Sequence, residues 1–357
     1  MRVRRLWLTD FRNFATADVE LAPGLTAIVG DNGQGKTNLL EAIAYTALLE
    51  SFRGAPTDAL VRVGAAAAVV RADIEREGRE LLVEAEVGSG RGRVLVNRQR
   101  LTRARDLLGA LRVTVFAPDD LEIVKGGPAL RRRYLDDLLV ARSPKFDSVR
   151  SDVDRILRQR NALLRQMAGR HGGGEGALST LDVWDERLAS AGTSLAAARA
   201  DLLELLRPAL RVAYANVAGA AVDIHAVYER SWPDDLGDAL LAARQLDVKR
   251  GITSVGPHRD ELALTIDGRA ARTHASQGEQ RSLALAMRLA GHDVVAREIG
   301  ADPVVLLDDV FSELDPRRSA ALVEHVPRGQ VLLTTAGGLP AGAHPEQTLR
   351  ISAGRLS

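Results

Sequence analysis

The spacing of apolar positions changes several times along the chain, and each change marks an element. Val3–Phe11, Thr16–Leu21 and Thr26–Val29 carry strand-like apolar stretches. Leu39, Leu40, Ile43, Ala44 and Ala47 follow at helical spacing and predict a helix over Lys36–Leu49. Ala67–Ile74, Leu81–Val87 and Arg93–Val96 predict a meander, with turns at Glu77-Gly78 and Gly88-Ser89-Gly90. Val113–Phe116 is a further strand, and Pro118-Asp119-Asp120 opens a helix. From about Pro128 the pattern becomes helical, over Ala129–Val140, Pro144–Arg170 and Leu178–Arg211. The run Gly172-Gly173-Gly174-Glu175-Gly176 predicts a hairpin tip between the last two helices. Ala220–Tyr228 returns to strand, and Asp235–Lys249 to helix. A strand near Leu262–Ile266, a helix over Gly278–Glu298 and the strand Val304–Leu307 follow. A helix from Pro316 leads to Val331–Thr334, read as the last buried strand. No internal repeat is visible. The pattern predicts an α/β head, residues 1–127 and 251–357, interrupted by a mainly helical insertion, residues 128–250.

Composition narrows the function classes. The chain has 357 residues and 46% hydrophobic content, enough for more than one core. Cysteine is absent, so disulfides and thiolate chemistry are excluded. No apolar run approaches the roughly 20 residues that span a bilayer, and the basic start Met1–Leu8 resembles a strand more than a leader. The expectation is a cytoplasmic protein with no membrane partner. Net charge is +1, so any nucleic-acid surface must be a local patch. One candidate is Arg131–Arg170, where ten arginines and Lys145 face five aspartates, a local charge of +6. A solvated helix face explains that run equally well. Only 4% of residues are aromatic, which favours contacts to a nucleic-acid backbone over base stacking.

The chemistry begins at Gly30-Asp31-Asn32-Gly33-Gln34-Gly35-Lys36-Thr37-Asn38, which follows an apolar strand and opens a helix. That is the setting a phosphate-binding loop requires. Glycines let backbone N–H groups turn inward, and the helix start adds partial positive charge. Gly30, Asn32, Gly33, Gln34, Gly35, Lys36, Thr37 and Asn38 are therefore the expected ATP-binding residues, with Lys36 reaching the β- and γ-phosphates and Thr37 holding Mg²⁺. A bare glycine turn is the competing reading, and it leaves the Lys-Thr pair unexplained. Val304–Leu307 ends in Asp308-Asp309. Acids at the carboxyl edge of a parallel sheet face the ligand. Asp308 is the expected Mg²⁺ residue, and Asp309 the residue that orients or deprotonates the attacking water. Aspartate is one methylene shorter than the glutamate of many such ATPases, so turnover is expected to be slow.

Ser276-Gln277-Gly278-Glu279-Gln280-Arg281 opens another long helix. Alone it reads as an ordinary cap. Its place before the Asp308-Asp309 strand, with Phe311-Ser312-Glu313-Leu314-Asp315 after it, resembles the ATP-binding-cassette class. In that class the signature helix caps the γ-phosphate held by a second copy, so two chains enclose two ATP molecules.

A narrower resemblance covers essentially the whole chain. Leu8–Phe14, Asp31–Ile43, Phe116–Leu121, Lys125–Pro128, Arg131–Asp136, Gln159–Leu164, Gly256-Pro257-His258-Arg259-Asp260 and Leu306–Asp315 resemble the RecF family. The phosphate loop within Asp31–Ile43 would not alone distinguish the family from many other ATPases; the Gly-Pro-His-Arg-Asp run and Asp308–Asp315 are the specific parts. The resemblance implies a bacterial recombination mediator of DNA repair, DNA replication and the SOS response to DNA damage. Such a protein dimerises on ATP, hydrolyses it weakly and binds gapped or single-strand/double-strand junction DNA. With RecR, and indirectly RecO, it helps RecA load. The residues carried over are Lys36, Thr37, Ser276, Gly278, Asp308 and Asp309, with Arg12 and Asn13 near the adenine or phosphates. The family usually has Glu at the position of Asp119 and commonly Gln at that of Glu279.

Other readings stand beside this one. A transporter ATPase would need a long insertion in the 272 positions between Lys36 and Asp308. A chromosome organiser would need longer heptad arms than Pro128–Gly251 provides. A small-molecule kinase leaves Ser276–Gly278 unexplained. His258 is expected to hydrogen-bond near the head core, Thr334 and Thr335 to lie just after the last strand, and Trp184 and Trp232 to pack.

Overall fold

In the computed structural model, which describes residues 1–88, 92–168 and 175–356, strands dominate the first third of the chain. They are β1 (Arg2–Phe11), β2 (Phe14–Glu20), β3 (Leu25–Val29), β4 (Ala67–Arg76), β5 (Arg79–Gly88), β6 (Arg93–Val96), β7 (Gln99–Arg100) and β8 (Val113–Phe116), with helix α1 (Lys36–Leu48) after β3. Next come α2 (Leu121–Lys125), α3 (Pro128–Arg142), α4 (Lys145–Ala168), α5 (Glu175–Ala218), β9 (Ile224–Glu229) and α6 (Leu236–Arg250). The remainder is β10 (Glu261–Ile266), β11 (Arg269–Ala270), α7 (Ala271–His274), α8 (Gln277–Ile299), β12 (Val304–Asp308), α9 (Pro316–His325), β13 (Val331–Thr335), β14 (Gln347–Ser352) and β15 (Arg355–Leu356). The turn predicted at residues 89–90 and the glycines at 172–174 lie outside the described residues, while Gly176 falls within α5.

The described residues form two compact units. The first comprises Met1–Leu121, Ala209–Ala221 and Gln277–Ser357. The second comprises Glu122–Pro208 and Val222–Ser276. These limits differ from a split at 127/128 and 250/251. The reason is strand pairing: β10, expected in the head, pairs antiparallel with β9 and joins the helical unit. The chain passes between units inside α5, directly after Pro208, which removes one main-chain donor from the helix.

In the first unit an antiparallel sheet runs β2-β1-β4-β5-β6-β7, and a second sheet runs β15-β14-β3-β13-β12-β8. In the second sheet only the β14–β15 pair is antiparallel. The pairing of β1 with β4 shifts register between Val3 and Arg5. That irregularity changes the inward parity, so buried Val3 is followed by buried Leu6 and Leu8. One apolar core joins this face, Leu39, Leu40 and Ile43 of α1, and Ile28, Leu306 and Leu332 of the parallel sheet. Val331–Thr335 is not the last strand. β14 lies beside β3 and inserts Ile351 into that core.

The second unit places α3, α4, the first part of α5 and α6 with the small sheet β11-β10-β9. Buried ion pairs fix it. Arg160 of α4 donates to Asp185 of α5 (2.6 Å) and Asp247 of α6 (2.7 Å). Arg199 of α5 forms a bidentate pair with Asp136 of α3, both bonds 2.7 Å. Such pairs contribute register more than net stability, and losing one partner is costly. The Gly256–Asp260 loop is a hub of this unit. Pro257 O accepts from Arg199 (2.7 Å), Asp260 O from Arg132 (2.7 Å), and the Asp260 carboxylate from the Tyr228 hydroxyl and the Ser231 N–H. Burial raises the Asp260 and Tyr228 pKa values. His258 therefore belongs to the helical unit and not to the head. It is half-buried and bonds Thr253 O at 3.1 Å, and desolvation lowers its pKa to about 4. Trp232 is buried, and Trp184 is half-buried with Arg187 over its ring.

Candidate nucleotide site

Register brings the expected chemistry to one sheet edge. Asp308 of β12 pairs with Thr334 of β13, and Thr334 pairs with Ile28 of β3. The loop leaving β3 thus starts beside Asp308-Asp309, at the carboxyl ends of parallel strands.

That loop is tightly specified. A Cβ on Gly30 would lie 2.4 Å from the Ile351 carbonyl oxygen, so no side chain fits there. Gly35 has φ +114°, and its Cβ would lie 2.5 Å from Asn13 Nδ2. Asn13 braces the loop, donating to Gln34 O (2.8 Å) and accepting from Asn38 Nδ2 (2.8 Å). The C-terminal hairpin adds Ala353 N–H to Gln34 Oε1 (2.5 Å) and Gly354 N–H to Gln34 O (3.2 Å). Asp31, Asn32 and Gly33 remain exposed at the apex. Buried Lys36 folds back and donates to the Gly30 and Asp31 carbonyls, at 2.7 and 2.9 Å. Its charge is thereby held inside the concavity where phosphate oxygens would accept the same protons.

The Thr37 hydroxyl donates to Asp308 Oδ1 at 2.7 Å, and Thr334 Oγ1 donates to the same oxygen at 2.9 Å. Burial raises the Asp308 pKa, the hydroxyl bonds oppose that, and the charge of Arg53 opposes it too. Arg53 was not anticipated from sequence, since nothing local to Ser51-Phe52-Arg53 announces chemistry. A hydroxyl beside a single carboxylate is a hard oxygen donor set. It fits Mg²⁺, which keeps several waters and takes one or two protein oxygens beside the phosphates. No cluster of three or more His, Cys, Asp or Glu with metal-ligand geometry occurs among the described residues. Asp309 has φ +50°, and its N–H is held by Thr334 Oγ1 at 2.9 Å. Its carboxylate has no hydrogen-bond partner among the described residues. Thr334 and Thr335 lie within β13 and not after it.

Arg12, expected near the adenine or phosphates, is engaged by α1 and the Ala59 carbonyl. Its guanidinium makes two bonds, 2.7 and 2.8 Å, to the fully buried Glu41 carboxylate, and a third to Ala59 O. Its charge is committed to α1. Gly278 lies in the first turn of α8, directly after Gln277, and Ser276 immediately precedes that helix. The Gly278 carbonyl accepts from Ser282 Oγ (3.0 Å), which accepts from Arg318 Nε (2.8 Å). Arg318 also binds the carboxylate of Asp315, the N-cap of α9. Arg281 donates to Glu313 O at 2.6 Å. The signature turn is thus tied to the segment after Asp308-Asp309. Asp119 sits in a short 3₁₀ turn, Pro118–Asp120, whose neighbour Asp120 pairs with Arg288 of α8.

Comparison with known proteins identifies the family of the chain. The family described as the RecF/RecN/SMC N terminal domain matches residues 2–336. The DNA replication and repair protein RecF of Frankia alni is 49% identical, with 94% of this chain and 93% of that protein covered. RecF of Streptomyces avermitilis is 47% identical, at 94% and 93% coverage. A solved structure of the recombination mediator protein RecF with ATP, in the RecFOR pathway, superposes with TM-score 0.89 at 28% identity, covering 100% of this chain and 98% of that one. An SMC head bound to the C-terminal winged-helix domain of ScpA superposes with TM-score 0.60 at 16% identity, covering 100% and 96%, which shows the shared ATPase-head fold. With a match along nearly its whole length and relatives close to half identical, the chain belongs to the RecF family of DNA replication and repair proteins, whose fold is the ABC-type ATPase head.

Proposed function

We propose that this protein is an ATP-gated recombination mediator that acts in the cytoplasm and grips gapped or junction DNA as an ATP-bound homodimer. The contact that carries the reading is Thr37 with Asp308, at the mouth of a loop whose lysine is already turned inward. Lys36 and the loop N–H groups bind the triphosphate. Thr37 and Asp308 would hold Mg²⁺, which when bound neutralises charge on the phosphates. Asp309 positions the attacking water and accepts its proton. Arg53 adds positive charge beside Asp308. Ser276 and Gly278 cap the nucleotide of a second copy, and the bonds from Gly278 through Ser282 and Arg318 to Asp315, with that of Arg281 to Glu313, support a coupling between that cap and the carboxylates.

Hydrolysis is slow and resets the switch. To move the pair from almost wholly open to almost wholly closed, ATP must favour the closed state by about 5.5 kcal/mol. In the closed state the dimer binds DNA and, with RecR and indirectly RecO, promotes loading of RecA. The RecF relatives named above and the ATP-bound structure support this assignment.

Sedimentation with and without ATP and Mg²⁺ tests it. The wild type is expected to dimerise only with both. Lys36→Arg is expected to abolish that response. Ser276→Arg is expected to keep ATP binding in the monomer and lose pairing. Normal ATP-driven dimers of Ser276→Arg would show that the cap is not supplied in trans.

A further inference from the structure

The basic run expected at Arg131–Arg170 is partly neutralised in the fold. Arg131, Arg133, Arg150, Arg155 and Arg160 each face a carboxylate. The antiparallel sheet of the first unit shows the same habit, with Arg2, Arg5, Arg71 and Arg93 paired to Glu75, Asp18, Glu84 and Glu86. The habit stops at the β6–β7 hairpin. Arg98, Arg100, Arg103 and Arg105 are all exposed, and their guanidinium groups have no hydrogen-bond or ion-pair partner among the described residues. The only carboxylate within that segment's reach in sequence is Asp106.

The segment is built to hold these groups outward. Val96 pairs with Gln99, leaving Asn97-Arg98 as a two-residue turn with φ +50° and +67°. Glycine is the favoured residue at the second of these positions. An arginine there is held at the tip against its backbone preference, a form of local strain that often accompanies function. Leu101 packs on the core and Leu107 is buried, so the segment is anchored from beneath between Arg100 and the 3₁₀ turn Ala104–Leu107. Protection of a sheet edge does not explain the whole set. β7 is only two residues long, and Arg103 and Arg105 lie beyond it.

We propose that Arg98, Arg100, Arg103 and Arg105 form a surface on the first unit for the phosphate backbone of DNA; the proposal rests on the DNA-binding reading above. Four anchored cations without aromatic neighbours in the segment suit phosphates and not unstacked bases. Each phosphate neutralised releases counterions, so the surface contributes to the salt dependence of binding.

The test replaces all four arginines by glutamine in one variant and by lysine in another. Fluorescence anisotropy of a labelled gapped duplex is followed with ATP and Mg²⁺ across a range of salt, beside sedimentation of the same samples. The glutamine variant is expected to dimerise normally and to lose about 3 to 4 from the slope of log K against log salt, at roughly 0.9 per phosphate contact. The lysine variant is expected to keep the slope. A wild-type slope in the glutamine variant overturns the surface while leaving the proposed function intact. Weak binding that merely follows a loss of dimer overturns it too. Wild-type protein that binds no DNA at any salt overturns both.

Discussion

Thr334 Oγ1 donates to Asp308 Oδ1 and accepts from the Asp309 N–H, both at 2.9 Å, so one hydroxyl orients both acids. Neither bond touches substrate directly. Thr334→Val keeps the shape and removes both. ATPase activity is expected to fall 10- to 100-fold, the usual scale for an orienting partner of a metal site. Nucleotide binding without Mg²⁺ should change little. Steady-state turnover and Mg²⁺-dependent binding of a fluorescent ATP analogue check this, and unchanged turnover refutes the orienting role.

Arg12 gives a clean choice between two roles. If it serves the nucleotide, Arg12→Ala weakens ATP binding and spares stability. The bidentate pair with fully buried Glu41 leads to the opposite expectation. Removing the guanidinium strands a buried carboxylate with Ser51 as its remaining donor, a loss of about 3 kcal/mol. Urea titration of Arg12→Ala measures the loss, and equilibrium ATP binding at low urea is expected to stay within about threefold of wild type, a change of roughly 0.7 kcal/mol.

Gly278 has no room for a methyl group without displacing Arg318. The added carbon would lie 2.8 Å from Arg318 Nη2 and 3.1 Å from its Cζ. Arg318 can move, so Gly278→Ala should fold. The bond from Arg318 to Ser282 should break, and ATP-driven pairing should weaken at least tenfold, about 1.4 kcal/mol. Sedimentation equilibrium with ATP reads the effect. Monomer affinity for ATP serves as the control.

Two histidines, His292 buried and His258 half-buried, make folding sensitive to acid. Burial lowers the pKa of both His258 and His292 from 6.5 to about 4. Each is neutral in the fold and charges more readily when unfolded. Their stabilisation is complete above pH 6.5 and is lost as pH falls from 6.5 towards 4, by roughly 3 kcal/mol each. Urea midpoints between pH 7.5 and 4.5 should fall accordingly. His292→Gln should remove about one proton from the acid slope, and a slope identical to wild type excludes the assignment.

Much of this architecture is legible in the sequence because local rules and tertiary packing agree. The apolar run Leu25–Val29, the glycines after it and the helix that follows all demand one another. The same holds for Val304–Asp308. β14 escapes notice because Gln347–Ser352 buries only Ile351 fully, and a polar, proline-bearing stretch precedes it. The pairing of β10 escapes because it looks like a head strand until its partner β9 is known. Charge is the least legible property. Arg12, Arg131 and Arg160 look available in sequence, and their acids come from positions 29, 130 and 25 residues away.

The parallel sheet assigns a late moment to the first functional loop. β3 is flanked by β13 and β14, and Gln34 is fastened by Ala353 and Gly354. A ribosome that has made the phosphate loop must still supply some three hundred residues before that loop has neighbours on either side. A nascent chain therefore carries the sequence of an ATP site long before it owns the pocket. On the proposed function the switch is armed only after synthesis, and truncations that stop short of Ile351 should yield chains unable to retain nucleotide.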